Sequence, residues 1–241
     1  MEISGLAPVP AESLEQLRRV STATLATVLY KLGFRNRALT DVHPIVPNSR
    51  MVGEAVTIRY IPIREDVDTP ELLANPDYPH RKVFDTISAG QVLVLDGRGD
   101  IRAALLGDIL AMRLKQRGAA GVVTDGAVRD GTGIRQVGLP CYARGEHPNA
   151  TFHLHHAADV NIPIACADVA VYPGDIVVGD GDGVVVIPRH LTAEVAKSAL
   201  EQEELEAFIL EKISGGAPLA GTYPAGEATR AEYQRWRQTR R

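Results

Sequence analysis

The sequence predicts an α/β fold with a central sheet that includes parallel strands, and three observations carry this. The runs QVLVLDG (91–97) and AGVVTDG (120–126) are short, apolar and end in Asp-Gly, as buried strands entering turns. Between them, DILAMRLKQRG (108–118) spaces its apolar residues for a helix and stops at Gly118. Strand, helix and strand in this order form a right-handed crossover between parallel strands.

The other elements follow in chain order. SLEQLRRVSTATLATVLYKLG (13–33) has helical spacing; Ser21 or Thr22 caps a second helix and Gly33 stops it. MVGEAVTIRYIPI (51–63) alternates well enough for a strand. Residues 64–82 are polar, contain three prolines and read as an extended loop with at most one helical turn. Loops this long are usually functional or mobile. The helix at 108–118 takes Asp108 as its cap. DIVVGDGDGVVVIP (175–188) gives two strands around a Gly/Asp turn. Residues 192–213 form a long helix capped by Thr192, with Val195, Ala196, Ala199 and Leu200 on one face and Phe208, Ile209 and Ile213 further along. One α/β domain therefore spans 1–213, and 214–241, rich in Gly, Pro and Arg, is a peripheral tail or disordered.

Composition narrows the function. The 241 residues are 45% hydrophobic and 23% charged, as in a soluble globular protein. A net charge of -4 disfavours nucleic-acid binding. Cys141 and Cys166 are too few for a disulfide framework. The opening MEISGLAPVPAESLEQLRRV lacks an apolar signal core and no run reaches membrane-span length, so a cytoplasmic protein is expected.

The stretch GDILAMRLKQRGAAGVVTDGAVRDG (107–131) carries the chemistry. Parallel strands collect functional groups beyond their carboxyl ends. There the turn DGAVRDG brings Arg129 and Asp130 within reach of Asp108. The first free amides of the helix, Ile109 and Leu110, suit a carboxylate or phosphate. Arg129 offers a planar two-point grip on a carboxylate. Asp108 and Asp130 could hold a hard cation such as Mg²⁺, partly through water. The plainer alternative makes Asp108 a helix cap, Asp130 a turn residue and Arg129 its surface partner.

Asp108, twenty intervening residues and then Arg129-Asp130 resemble the signature of the class II 4-hydroxy-4-methyl-2-oxoglutarate/4-carboxy-4-hydroxy-2-oxoadipate aldolases, whose family includes the regulator of ribonuclease activity A. STATLATVLYKLG, MVGEAVTIR, AGQVLVLDG and PGDIVVGDGDGVVVIP are similar to family segments; 64–82 and the tail are less so. The resemblance implies a layered α/β sandwich with a C-terminal helical arm. It implies that Asp130 binds a divalent metal, Mg²⁺ or Mn²⁺, that Asp108 holds a metal-bound water, and that Arg129 and the amides of Ile109 and Leu110 hold a 2-oxo acid. It further implies a trimer or hexamer in which Glu203 or Glu204 of a neighbouring subunit completes the site. The activity implied is retro-aldol release of pyruvate, with oxaloacetate decarboxylation at the same site. The regulator branch has glycine at the position of Asp108 and an acidic residue at that of Gly133, so this chain matches the enzyme branch. The competing reading is a non-catalytic protein that inhibits a ribonuclease by contact.

Other motifs carry less. His153, His155 and His156 do not have zinc-ligand spacing. His80 reads as a solvated loop residue or a substrate contact. Asp180 and Asp182 lack the full ligand ladder of a calcium loop, and the glycines at 97–99 lack a phosphate-binding lysine. Cys141 reads as a buried thiol.

Overall fold

A computed structural model describes residues 8–239. Residues 1–7 and 240–241, which belong to the opening and the tail discussed above, lie outside the described residues. The elements run α1 (Ala11–Leu17), α2 (Thr22–Lys31), β1 (His43–Pro44), β2 (Met51–Pro62), α3 (Pro70–Ala74), α4 (Pro79–Thr86), β3 (Gln91–Asp96), α5 (Asp108–Gln116), β4 (Gly121–Thr124), β5 (Ala127–Val128), α6 (Gly131–Val137), β6 (Cys141–Ala143) and β7 (Gly145–Glu146). There follow β8 (His155–Val160), β9 (Ile164–Cys166), β10 (Val169–Val171), β11 (Ile176–Asp180), β12 (Gly183–Ile187), α7 (Thr192–Ser214) and α8 (Glu227–Thr239). Among the described residues no helix is long and apolar enough to cross a membrane.

The main sheet has eight strands in the order β1-β6-β4-β3-β2-β11-β12, with β8 pairing β2 off this path. β6, β4, β3 and β2 are parallel, so the crossover through α5 joins parallel neighbours. The backbone at 37–39 pairs with β12 through Leu39 N–H to Val184 O and Val186 N–H to Arg37 O, both 2.9 Å. β1 then pairs with β6, so residues 37–44 nearly close the sheet on itself. Inside lie Ala55, Val94, Tyr142 and Val177 with the β9–β10 hairpin. One outer layer packs α4, α5 and α6 through Phe84, Leu114 and Ile134; the other packs α1, α2 and α7 through Leu17, Leu25 and Val195.

Local chemistry explains where the elements differ from expectation. Ser21 caps α2, its Oγ accepting from Thr24 N–H at 3.1 Å. Residues 64–82 are not an extended loop. α3 lies within them and α4 begins there, each with proline in its first turn, where the missing N–H costs nothing. Thr69-Pro70-Glu71 is a helix-start signal that the polarity of the segment obscured. Asp68 pairs with His156, and Ala157 N–H donates to Tyr78 Oη at 2.8 Å, which pins this segment to β8. The cap of α7 is Leu191, not Thr192, whose hydroxyl instead donates to Arg189 O at 2.7 Å. Within the tail, α8 packs Tyr233 and Trp236 against Phe208 and Ile209 of α7.

The loops at the carboxyl ends of β3 and β4 are tied by Asp125, which is almost wholly buried. It accepts from the N–H groups of Gly97 (2.6 Å), Gly99 (3.0 Å) and Ala167 (3.2 Å). Asp96 lies nearby, and burial, reinforced by the charge of Asp125, pushes its carboxyl up to about 6. A raised carboxyl pKa means that the folded state binds the proton more tightly than the unfolded chain. The group therefore costs nothing at pH 4 and opposes folding as pH rises through 6. Asp96→Asn keeps an acceptor for Arg98 N–H, which bonds Asp96 Oδ1 at 3.1 Å, and removes the charge. The variant should be more stable than the parent by about 2 kcal/mol at pH 7 and equal to it at pH 4, read by urea titration at both pH values. Lower stability at pH 7 would mean that the charge is wanted.

Candidate active site

Two backbone hydrogen bonds create the site. Beyond β3, residues 103–107 run beside β5: Leu105 N–H donates to Ala127 O and Arg129 N–H to Leu106 O, both 2.9 Å. This sets Gly107, the N-cap of α5, against Arg129-Asp130 at the start of α6. Each helix start then accommodates the other's carboxylate. A Cβ on Gly107 would sit 2.6 Å from Asp130 Oδ2 and 3.1 Å from Arg129 Cγ. A Cβ on Gly133 would sit 2.8 Å from Asp108 Cβ and closer still to its Oδ2. Glycine at 133 leaves room for Asp108 down to its Cβ, and glycine at 107 spares the tip of the Asp130 carboxylate a shift. Asp130 itself is left-handed (φ 55, ψ 41), an uncommon conformation for a residue with a side chain, and Ile134 N–H closes on its carbonyl at 2.9 Å to begin α6.

The acids open into a pocket of ≈ 290 Å³. One wall is Gly107, Asp108, Ile109, Leu110, Arg129 and Asp130; the other includes Tyr78, His80, Arg81, Thr151, Phe152 and His155. Arg129 Nε donates to Asp130 Oδ2 at 3.0 Å, and both side chains are partly exposed. Thr151 Oγ1 donates to Ala104 O at 2.8 Å and fixes the second wall to the first.

The structure thus gathers Asp108, Ile109, Leu110, Arg129 and Asp130 in one place, with two corrections of detail. Asp108 is the first helical residue rather than the cap, because Gly107 occupies that position without a side-chain bond. Nor is the Ile109 amide free: it donates to Asp108 Oδ1 at 2.8 Å, while Leu110 N–H bonds no described residue. Glu203 and Glu204 are engaged within their own chain. Glu203 Oε1 accepts from Ser21 N–H at 2.6 Å, and Glu204 Oε2 pairs with Arg237 Nε at 2.9 Å and accepts from Tyr233 Oη at 3.2 Å.

The donor set fits a hard cation. Among the described residues no three His, Cys, Asp or Glu side chains gather for a metal. Mg²⁺ or Mn²⁺ bound by one or two carboxylates, with remaining positions for water and substrate, needs no such trio. Asp130, held over Gly107 where a Cβ would fill the space, and Asp108 supply that chemistry.

The other singled-out residues have separate duties. His155 and His156 lie apart, in the pocket wall and on Asp68 respectively. Asp180 supplements the Ser21 cap of α2, accepting from Thr22 N–H at 2.8 Å. Cys141 is buried, and burial pushes its thiol up to about 12.

The model of the family "RraA-like: Aldolase/RraA" matches residues 22–186. This chain belongs to the RraA-like family. Among its relatives is a Halalkalibacterium halodurans protein provisionally named as a 4-hydroxy-4-methyl-2-oxoglutarate aldolase, 30% identical over 79% of this chain and 83% of its own. A Thermus thermophilus protein named 4-hydroxy-4-methyl-2-oxoglutarate aldolase is 39% identical over 45% of this chain and 66% of its own. The solved structure of Streptomyces coelicolor RraAS2, described as an unusual member of the RNase ES inhibitor RraA family, is 32% identical and superposes with a TM-score of 0.76 over 85% of this chain and all of its own. The RraA-like fold is the layered α/β arrangement expected of the sequence.

Apart from His80, the sequence did not disclose the second wall. Tyr78, Thr151, Phe152 and His155 reach the pocket from positions 30 or more from Asp108, and no local spacing marks them. Only the Tyr78-Pro79 helix start carries a sequence signal.

The contact between Asp108 and Gly133 can be tested directly. Gly133→Ala should drive the Asp108 side chain to another rotamer with α6 retained, as seen in a crystal structure of the variant. An unmoved Asp108 carboxylate would show that the glycine is not what makes room for it.

Proposed function

We propose that this RraA-like protein is a divalent-metal-dependent lyase that cleaves a 4-hydroxy-2-oxo acid to pyruvate, with oxaloacetate decarboxylation at the same site. The observation that carries the proposal is the Asp108 carboxylate seated on Gly133 in one pocket with Arg129 and Asp130. A cation held by Asp130 would supply a Lewis acid for the charge that develops on the 2-oxo oxygen. The chain's own groups do the rest. Arg129 exchanges its bond to Asp130 for the substrate carboxylate and 2-oxo oxygen, and the Leu110 amide adds a donor at the start of α5. Asp108 accepts the proton of the C4 hydroxyl through a water. The C3–C4 bond then breaks, its electron pair forming the C2–C3 enolate while C4 becomes a carbonyl. Protonation at C3 gives pyruvate. Loss of CO₂ from oxaloacetate leaves the same enolate, so Arg129 stabilises both reactions.

A non-catalytic ribonuclease inhibitor is the second reading, favoured by the likeness to RraAS2. That reading gives Asp108 no task, and it leaves the glycine at 133 unexplained. Assembly belongs to the proposal as well. Ile109 and Phe152 at the pocket rim are 81% and 47% exposed, an apolar edge suited to cover by a neighbouring subunit in a trimer or hexamer. Glu203 or Glu204 would reach the neighbour's pocket only by leaving its present partners. The two free, buried thiols suit a reducing cytoplasm.

Pyruvate release from 4-hydroxy-2-oxo acids and from oxaloacetate should stop with a chelator and return with Mg²⁺ or Mn²⁺. Asp130→Ala should abolish both reactions without loss of fold; full Mg²⁺-dependent turnover in that variant would remove Asp130 from the metal site.

Asp108→Gly separates the two readings. As a helix residue alone, Asp108 can become glycine for about 1 kcal/mol of stability and no change of rate. As the proton acceptor, its loss should cost at least about a hundredfold in turnover. Turnover and melting temperature measured together decide between them, and unchanged turnover would leave Asp108 structural.

A further inference from the structure

The lyase reading uses one wall of the pocket and leaves the other without a role. That second wall contains two histidines whose tautomers the surrounding bonds determine. His80, on α4, is buried and packs edge-on against Tyr60 and Phe84. Its Nδ1 lies 2.6 Å from Tyr60 Oη. Tyr60 is 1% exposed, and burial pushes its hydroxyl well above the ordinary range, so it keeps its proton. Nδ1 is the acceptor within reach of that proton, so the hydroxyl donates and the imidazole proton resides on Nε2. Burial, with the charge of Arg81 and the presence of His155, lowers the ring to about 4 and keeps it neutral. No described residue bonds to Nε2.

His155, on β8, repeats the arrangement. Its Nδ1 lies 3.1 Å from Arg98 Nη2, which can only donate. The proton of the neutral ring therefore also sits on Nε2. That nitrogen is buried without a hydrogen-bond partner. The Ala103 carbonyl lies near enough to favour protonation but makes no hydrogen bond to it. Of these two donors, His155 Nε2 is enclosed without an acceptor, whereas His80 Nε2 has no described partner and is open to the pocket that His80 lines together with Arg129 and Asp130. A substrate that displaces water from the His80 donor without offering an acceptor leaves it unpaired, and a ligand oxygen removes that cost.

We infer, resting on the lyase reading, that His80 is the specificity-determining donor to an acceptor oxygen that the substrate carries beyond C4, at the end remote from the 2-oxo acid group. Tyr60 is a positioning residue that acts by setting the tautomer of His80. The shared chemistry is an acceptor oxygen, supplied by either a hydroxyl or a carboxylate. An alkyl end would leave the His80 donor bare, and a neutral imidazole suits recognition rather than proton abstraction.

Metal-dependent pyruvate release would be measured on three 4-hydroxy-2-oxo acids that end beyond C4 in a methyl, a hydroxymethyl or a carboxylate. The wild-type chain should prefer one or both oxygen-bearing acids to the methyl-ended one by about tenfold in kcat/KM, the value of one hydrogen bond. His80→Leu should erase that preference through KM, and His80→Gln, which keeps an N–H near the place of Nε2, should retain most of it. Whichever oxygen-bearing acid shows the larger preference names the group. Equal losses on all three acids, or a preference that survives in His80→Leu, would overturn the inference while leaving the lyase reading intact. A wild-type chain inactive on every acid would overturn both. The tautomer has its own readout, long-range ¹H–¹⁵N correlation of the histidine rings at pH 7. His80 should appear as the neutral Nε2–H form and lose that bias in Tyr60→Phe; an Nδ1–H form in the wild type would refute the donor assignment.

Discussion

The pairing of residues 103–107 with β5 is the constraint on which the site depends. Two backbone hydrogen bonds, Leu105 to Ala127 and Arg129 to Leu106, hold the starts of α5 and α6 together. Parallel strands deliver both helices to one edge of the sheet, but delivery alone would leave Asp108 and Asp130 at an arbitrary separation. The short ladder removes that freedom. Glycines at 107 and 133 then let each carboxylate settle over the opposite helix start. A methyl group at Gly133 would displace Asp108, so the pattern Asp108 with Gly133 is a single structural decision.

Strain and burial are concentrated around this edge. Asp130 adopts a left-handed backbone, and Arg98, Ala167 and Asp168 do so in the neighbouring loops. Such conformations persist only where surrounding bonds enforce them. Asp125 supplies that enforcement for Gly99 and Ala167, and also holds Gly97, by accepting one amide proton from each. A buried carboxylate therefore shapes the loops, while the partly exposed carboxylates of Asp108 and Asp130 remain open to a ligand. Acids of one residue type divide into scaffold and site according to whether backbone donors already surround them.

Much of the site was legible in the sequence because its first wall is local. Asp108 and Arg129-Asp130 flank one helix–strand unit, and the parallel crossover brings its two ends to the same edge without help from the rest of the chain. Helix starts were less legible. Asp108 and Thr192 each sit one position inside the residue that caps, since Gly107 and Leu191 carry no side-chain signal. The segment 64–82 misled by its polarity. Its helices are stabilised through Asp68 on His156 and Tyr78 on Ala157, partners some eighty residues away.

By itself, then, the sequence determined the α/β class, the parallel crossover, the family and the acid–arginine–acid wall, because apolar periodicity and short-range spacing encode them. Only the tertiary structure decided that the sheet nearly closes, that Glu203 and Glu204 are occupied within their own chain, and that His80 and His155, with their Nδ1 atoms on Tyr60 and Arg98, line the same pocket as Arg129. The physical reason is that a proton's position on a buried imidazole depends on which donor or acceptor touches the other nitrogen. Tyr60 and Arg98 reach those nitrogens from β2 and the β3 loop, at sequence separations that no local pattern records.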